Sequence, residues 1–249
     1  MANVVLSLMA HPDDCEFLCA GTVARLVQER GWEAHIATMT PGDCGSAELD
    51  AADIARIRRA EGRAAASRIG ATYHCQEERD LLVFYNESTL EKAIRLFRTV
   101  RPNVVITHSP SDYMLDHEQT SVVARAACFG APIRNMCAGM GHAPHLDTIP
   151  HLYYADPIEG KDPFGQPIPA GFCVDITRTL DVKRTMLCDH ASQREWLLKH
   201  HGLDEYVAAM EHWAAERGRL LGVPAAEGFR QHLGHSYPQG NLLAELLGG

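Results

Sequence analysis

The chain has no C-x-x-C pair. Its eight cysteines stand at 15, 19, 44, 75, 128, 137, 173 and 188, without the close pairing of structural zinc or dithiol chemistry, and they read as reduced, mostly buried thiols of a cytoplasmic protein. It also has no block of lysine or arginine. The 23 bases against 32 acids give a formal charge of −9, which argues against nucleic acid or an anionic membrane as partner and for a small, soluble substrate. No apolar run approaches the length of a membrane span. The apolar stretch Val4 to Met9 has no basic residue before it and runs into "HPDD" where a signal peptide needs small residues, so no leader is expected. Internal repeats and low-complexity linkers are absent as well. With 249 residues, 46% of them hydrophobic, one domain over 1–249 with a large buried core is the expectation.

What is present alternates. "NVVLSLMA" reads as a buried strand, "AGTVARLVQERG" as a helix closed by Gly31 and "EAHIATMT" as a second strand. A long helix, "ELDAADIARIRRAEGRAAASRIGA", a short strand, "TYHC", a helix stopped by Pro102, "ESTLEKAIRLFRTVRP", and a strand, "NVVITHS", follow. Further on come strands "HLYYAD" and "FCVDI", helices over 180–200 and 204–221, and a polar tail, "GFRQHLGHSYPQGN". Such alternation predicts an α/β fold, Rossmann-like and doubly wound, with a mostly parallel sheet flanked by helices and a ligand crevice beyond the C-terminal strand ends.

The two most unusual segments fall at those ends. "AHPDDCE" follows the first strand, and "HSPSDYMLDHEQT" follows the strand ending near Thr107. A hydrolytic metal site needs three protein ligands and an open position for water, and His11, Asp14 and His117 make one common set. Asp13 and Asp14 are consecutive in a non-helical turn, so their side chains diverge: one can bind metal while its neighbour faces the activated water. Asp116 or Glu16 could hold a ligand imidazole in the required tautomer. Helix capping by Asp13 or Asp14 explains one acid, but not two beside His11.

"AHPDDCE" resembles the A-H-P-D-D-x-E signature of the LmbE-like, or PIG-L, family of zinc-dependent deacetylases. The similarity extends to "IRRAEGRAAASRIGA", "RPNVVITHSPSDYMLDH", "VDITRTLDVKRTMLCDHASQ" and "GVPAAEGFR", nearly the whole chain. The resemblance implies one zinc ion per chain, other divalent ions being acceptable to such a site, held by His11, Asp14 and His117. It implies Asp13 as general base and Arg58 as a substrate contact. The reaction it implies is removal of an acetyl group from an N-acetylated amino sugar or its conjugate, in a homo-oligomer, trimer or hexamer.

One position departs from the pattern. Where the family reads H-x-D-H, with its first histidine stabilising the oxyanion, this chain has Met114, whose thioether cannot donate a hydrogen bond. Either zinc carries more of the oxyanion charge or another donor replaces the histidine: Tyr113, or the tail histidines His232 and His235, from this chain or from a neighbouring subunit, with His235 expected before His232. The departure keeps open a zinc-dependent hydratase, a lyase acting on an unsaturated carboxylic acid. A non-haem iron oxygenase uses the same ligand types, but those usually sit on β-barrels, and a metal-binding protein without chemistry leaves Asp13 without a purpose.

Overall fold

The computed structural model describes residues 3–136, 144–194 and 205–248. Cys137, the expected helix beyond 194 and the expected helix start at 204 lie outside them. Seven strands form one sheet in the order β3-β2-β1-β4-β5-β7-β6. The first five are β1 (Val4–Met9), β2 (Glu33–Thr38), β3 (Thr72–Cys75), β4 (Val104–Thr107) and β5 (His151–Ala155), all paired in parallel. This is the α/β architecture the alternation predicts.

β1 is buried along its whole length, as a central parallel strand covered on both faces must be. Its residues alternate between two cores. Val5 and Met9 face one cluster, and Val4, Leu6 and Leu8 face the other. Helix α2 (Ala20–Arg30) packs on the first and helices α4 (Glu87–Val100) and α5 (Leu115–Gly130) on the second. Local chemistry sets the helix ends. The Asp50 side chain accepts from Asp53 N–H at 2.9 Å to start α3 (Ala51–Ser67), Asn86 caps α4 in the same way, and Gly31 at φ 66° ends α2. A short helix, α1 (Asp14–Leu18), precedes α2 and was not expected from the sequence.

The C-terminal part differs most from the sequence reading. α6 ends at Cys188 (Leu180–Cys188) and α7 spans Glu205–Leu221. The segment expected as a polar tail starts inside a strand, β7 (Ala226–Gln231), which lies antiparallel between β5 and β6 (Phe172–Asp175), and the chain then closes with α8 (Leu242–Leu247). No helix among the described residues is long and apolar enough to cross a membrane.

Candidate metal centre

Outward from β1 the sheet continues to β2 and β3 on one side and to β4 and β5 on the other, so the crevice of this doubly wound sheet opens between β1 and β4. The turn after β1 and the loop after β4 enter that crevice. His11, Asp14 and His117, all buried, place one ligand atom each within 4.8 Å of the others. His11 Nδ1 lies 3.3 Å from Asp14 Oδ2, and His117 Nε2 lies 3.5 Å from Asp14 Oδ1. A tetrahedral zinc with bonds of about 2.0–2.1 Å would hold its ligand atoms about 3.3 Å apart, so the donor set suits such an ion.

The outward nitrogen of each ring meets a carboxylate. His117 Nδ1 is 2.9 Å from Asp112 Oδ1, while His11 Nε2 is 2.9 Å from Asp80 Oδ1 and 3.3 Å from Asp116 Oδ2. A proton held on the outer nitrogen leaves the inner lone pair free for a cation. Two other groupings, His108 with Asp112 and His117, and His11 with Asp80 and Asp116, overlap this one. Only His11, Asp14 and His117 all line the cleft, a hollow of about 460 Å³.

Charge follows the same geometry. Burial alone would lower the pKa of His11, but the carboxylates of Asp116, Asp14 and Asp80 hold it well above the ordinary imidazole value. Burial would likewise raise Asp14, yet His117 and His108 draw it well below the usual carboxylate range. The cluster is built to hold positive charge.

Asp13 stands beside the cluster with a different task. It precedes α1 at φ 104°, a conformation that L-residues rarely adopt, and its side chain makes no capping bond, so the capping explanation fails for it. Its Oδ2 accepts from the Tyr206 hydroxyl at 2.5 Å and from Arg58 Nη2 at 3.4 Å. Burial raises its pKa, Asp14 adds to the rise and Arg58 opposes it.

Arg58 is buried rather than an exposed helix arginine. Its Nη2 donates to Pro12 O at 2.7 Å, and glycines at 42 and 45 leave room for the guanidinium, since a Cβ there would sit 2.3 and 2.5 Å from Nη1. Asp116 contacts His11 as the sequence suggested, and it also accepts from Leu81 N–H at 2.7 Å and Val83 N–H at 3.3 Å. Glu16 does not reach a ligand imidazole. Its Oε2 lies 3.5 Å from His190 Nε2 instead, because the first turn of α1 directs it toward α6 and not toward the β4 loop.

Within one chain, His235 is not brought to the cleft either. β7 runs antiparallel to β5 and carries the chain away from the C-terminal strand ends, so His235 and His232 line a separate hollow with Arg125 and Phe129. His232 is occupied there by the Tyr154 hydroxyl, 3.0 Å away. Met114 and Tyr113 do line the cleft, with the Tyr113 ring edge-on to His117 at 5.4 Å between centroids. The sequence reading missed Asp80, Asp112, His190 and Tyr206. Asp112 carried a signal, an acid five residues before His117 in the loop that leads into α5. Tyr206 carried none, being contributed by α7 far along the chain.

Residues 6–128 match the family described as PIG-L: GlcNAc-PI de-N-acetylase. A 4-oxalmesaconate hydratase of Pseudomonas putida KT2440 is 28% identical over 202 residues, 77% of this chain and 74% of that protein. A diacetylchitobiose deacetylase of Thermococcus kodakarensis KOD1 is 24% identical over 200 residues, 76% of this chain and 69% of that protein. Among solved structures, GalB, the 4-carboxy-2-hydroxymuconate hydratase of Pseudomonas putida KT2440, has the same fold, with a TM-score of 0.76 at 21% identity over 96% of this chain and 99% of its own.

Proposed function

We propose, on the premise that this chain carries a PIG-L-family domain over residues 6–128, that it is a zinc-dependent hydrolase removing an acyl group from an N-acylated amine of the amino-sugar type. The family is enzymatic, with deacetylases and hydratases among the relatives of this chain. One observation favours hydrolysis. Among the described residues lining the cleft, Asp13, Asp14 and Asp80 are acids, and the single permanent cation, Arg58, is already committed to Asp13 and Pro12 O. A polycarboxylate substrate would meet three aspartates with the proposed metal ion as its one uncommitted counter-charge, whereas a neutral amide needs none.

A zinc ion, when bound, supplies an electrophile for the amide oxygen and acidifies water. His11, Asp14 and His117 would hold it, with Asp112, Asp80 and Asp116 fixing the imidazoles. Asp13 accepts the proton of the attacking water and returns it to the departing amine, giving carboxylate and free amine. Tyr206 and Arg58 keep the Asp13 carboxylate aimed into the cleft. The second reading, hydration of an unsaturated carboxylic acid, is favoured by Met114, because a site without the family's usual histidine has one fewer donor for an oxyanion. Acetate release from a panel of N-acetylated amino sugars, measured beside loss of enoate absorbance and with an EDTA-treated control, separates the two. EDTA-sensitive acetate release supports the hydrolase, and enoate loss without acetate release overturns it.

A further inference from the structure

A second hollow, of about 450 Å³, opens beside α5 and takes no part in the chemistry proposed for the cleft. Hollows of that size hold small organic ligands. Arg125 and Phe129 line it from α5, eight and twelve residues beyond His117, which places them about 12 and 18 Å along the helix from that ligand. Leu90, Ile133 and Met136 add apolar surface, and His232 and Tyr237 join from the loop after β7. That loop is built rather than frayed. The buried Tyr237 donates its hydroxyl proton to Arg125 O at 2.7 Å, and Gln231 Nε2 donates across the loop to Pro238 O and Gly240 O at 3.0 and 2.8 Å. The His232 ring stands edge-on to Tyr237 with 4.2 Å between centroids, and Gly234 leaves room for it, since a Cβ there would fall 2.5 Å from His232 Nε2.

Charge sets this hollow apart from the cleft. Three aspartates line the cleft, whereas no acid is among the residues lining the hollow. Its permanent cation is the exposed Arg125, which neighbours the buried Tyr154 hydroxyl and pairs with no carboxylate among the described residues. By contrast Arg56, Arg59, Arg68, Arg101 and Arg184 each lie between 2.6 and 3.0 Å from an acid. Burial, with Arg125 nearby, lowers the pKa of His232 below the ordinary imidazole value, so that ring adds no second charge near neutrality. A guanidinium takes a carboxylate through two parallel N–H···O bonds. One fixed charge beside aromatic and apolar walls therefore matches one negative charge on an apolar body. We propose that the hollow is a second ligand site, distinct from the metal centre, and that it binds a small aromatic monocarboxylate with the carboxylate on Arg125 and the ring against Phe129, Ile133 and Tyr237. The site stands whichever reaction the cleft performs.

NMR titration of the zinc-supplemented protein with 3-phenylpropanoate tests the site. A ligand of this size should saturate with a Kd of about 1 mM. 3-Phenylpropanamide, which keeps the shape and loses the charge, should bind about tenfold more weakly, and Arg125→Gln should erase the difference between the two. Arg125→Lys, with the charge but without the planar fork, should restore part of it. Phe129→Ser, also at an exposed position, should weaken both ligands while the melting temperature holds. Carboxylates also bind zinc, so EDTA-treated protein and His11→Ala/His117→Ala serve as controls and should keep the parental affinity. Absence of saturable binding by the parent, equal affinity for acid and amide, or undiminished binding of the acid in Arg125→Gln would each overturn the proposal. So would binding lost in the histidine variant and in EDTA, which would put the carboxylate on the metal. A fall in oligomer mass on light scattering in Arg125→Gln, with no carboxylate bound by the parent, would make the hollow a contact between copies and overturn it as well.

Discussion

Asp112 and Asp13 are the residues on which the site can be tested one at a time. Asp112 reaches the centre only through the outer nitrogen of His117, 2.9 Å away, and such supporting carboxylates typically count for about 10–100-fold in metal affinity. Asp112→Ala should therefore raise the zinc Kd by about that factor in competition with a chromophoric chelator. An unchanged Kd would remove His117 from the ligand set. Asp13, by contrast, is held by Tyr206 and Arg58 and not by a ligand imidazole. Asp13→Asn keeps its shape and loses its basicity, so metal content should stay at the parental level while turnover falls by about 10²–10⁴. Retention of most of the turnover would make Asp13 structural.

Among the elements, the junction of α2, α6 and β7 is where a remote buried charge pair joins the fold. Glu227 on β7 accepts from Gly21 N–H at 2.9 Å and Thr22 N–H at 2.7 Å at the start of α2, and Lys183 of α6 meets it at 2.5 Å with both side chains about 2% exposed. Lys183→Met would leave a buried carboxylate without its counter-charge, a change that typically costs about 3–5 kcal/mol. Urea unfolding should show that loss, and Lys183→Met/Glu227→Gln should recover part of it; a single variant as stable as the parent would show the pair to be dispensable. This junction also marks the limit of sequence reading. β1 and β4 announce themselves as continuous apolar runs because both their faces are buried, whereas "AEGFRQ" has neither an apolar run nor a clean alternation. Its residues become a strand because β5 and β6 offer hydrogen bonds on both sides, a long-range cause that no local pattern records. The position of His235 within its own chain has the same origin, since the direction of β7 decides which end of the sheet the following loop reaches.

Across the whole molecule, the cluster gathers acids from three distant stretches: Asp13 and Asp14 after β1, Asp80 after β3, and Asp112 and Asp116 around the start of α5. The halves nearest the strand ends were legible because "HPDD" and "LDH" crowd unlike chemistry into a few positions. Asp80 and Tyr206 were not, because only the packing of the β3 loop and of α7 brings them near. In a chain of formal charge −9, five carboxylates so close together oppose folding unless a cation joins them, so the ion should act on stability as well as on turnover. A ligand that binds only the folded state stabilises it by about 2.7 kcal/mol at a hundred times its Kd, and for a chain of this size that corresponds to a rise in Tm of about 5–10 °C. Calorimetric scans should show that rise between EDTA-treated and zinc-supplemented protein, and His11→Ala/His117→Ala should melt at one temperature in both conditions. A parental Tm indifferent to zinc and to EDTA would refute the metal centre itself, because a preorganised site that binds tightly cannot leave the folding equilibrium unmoved.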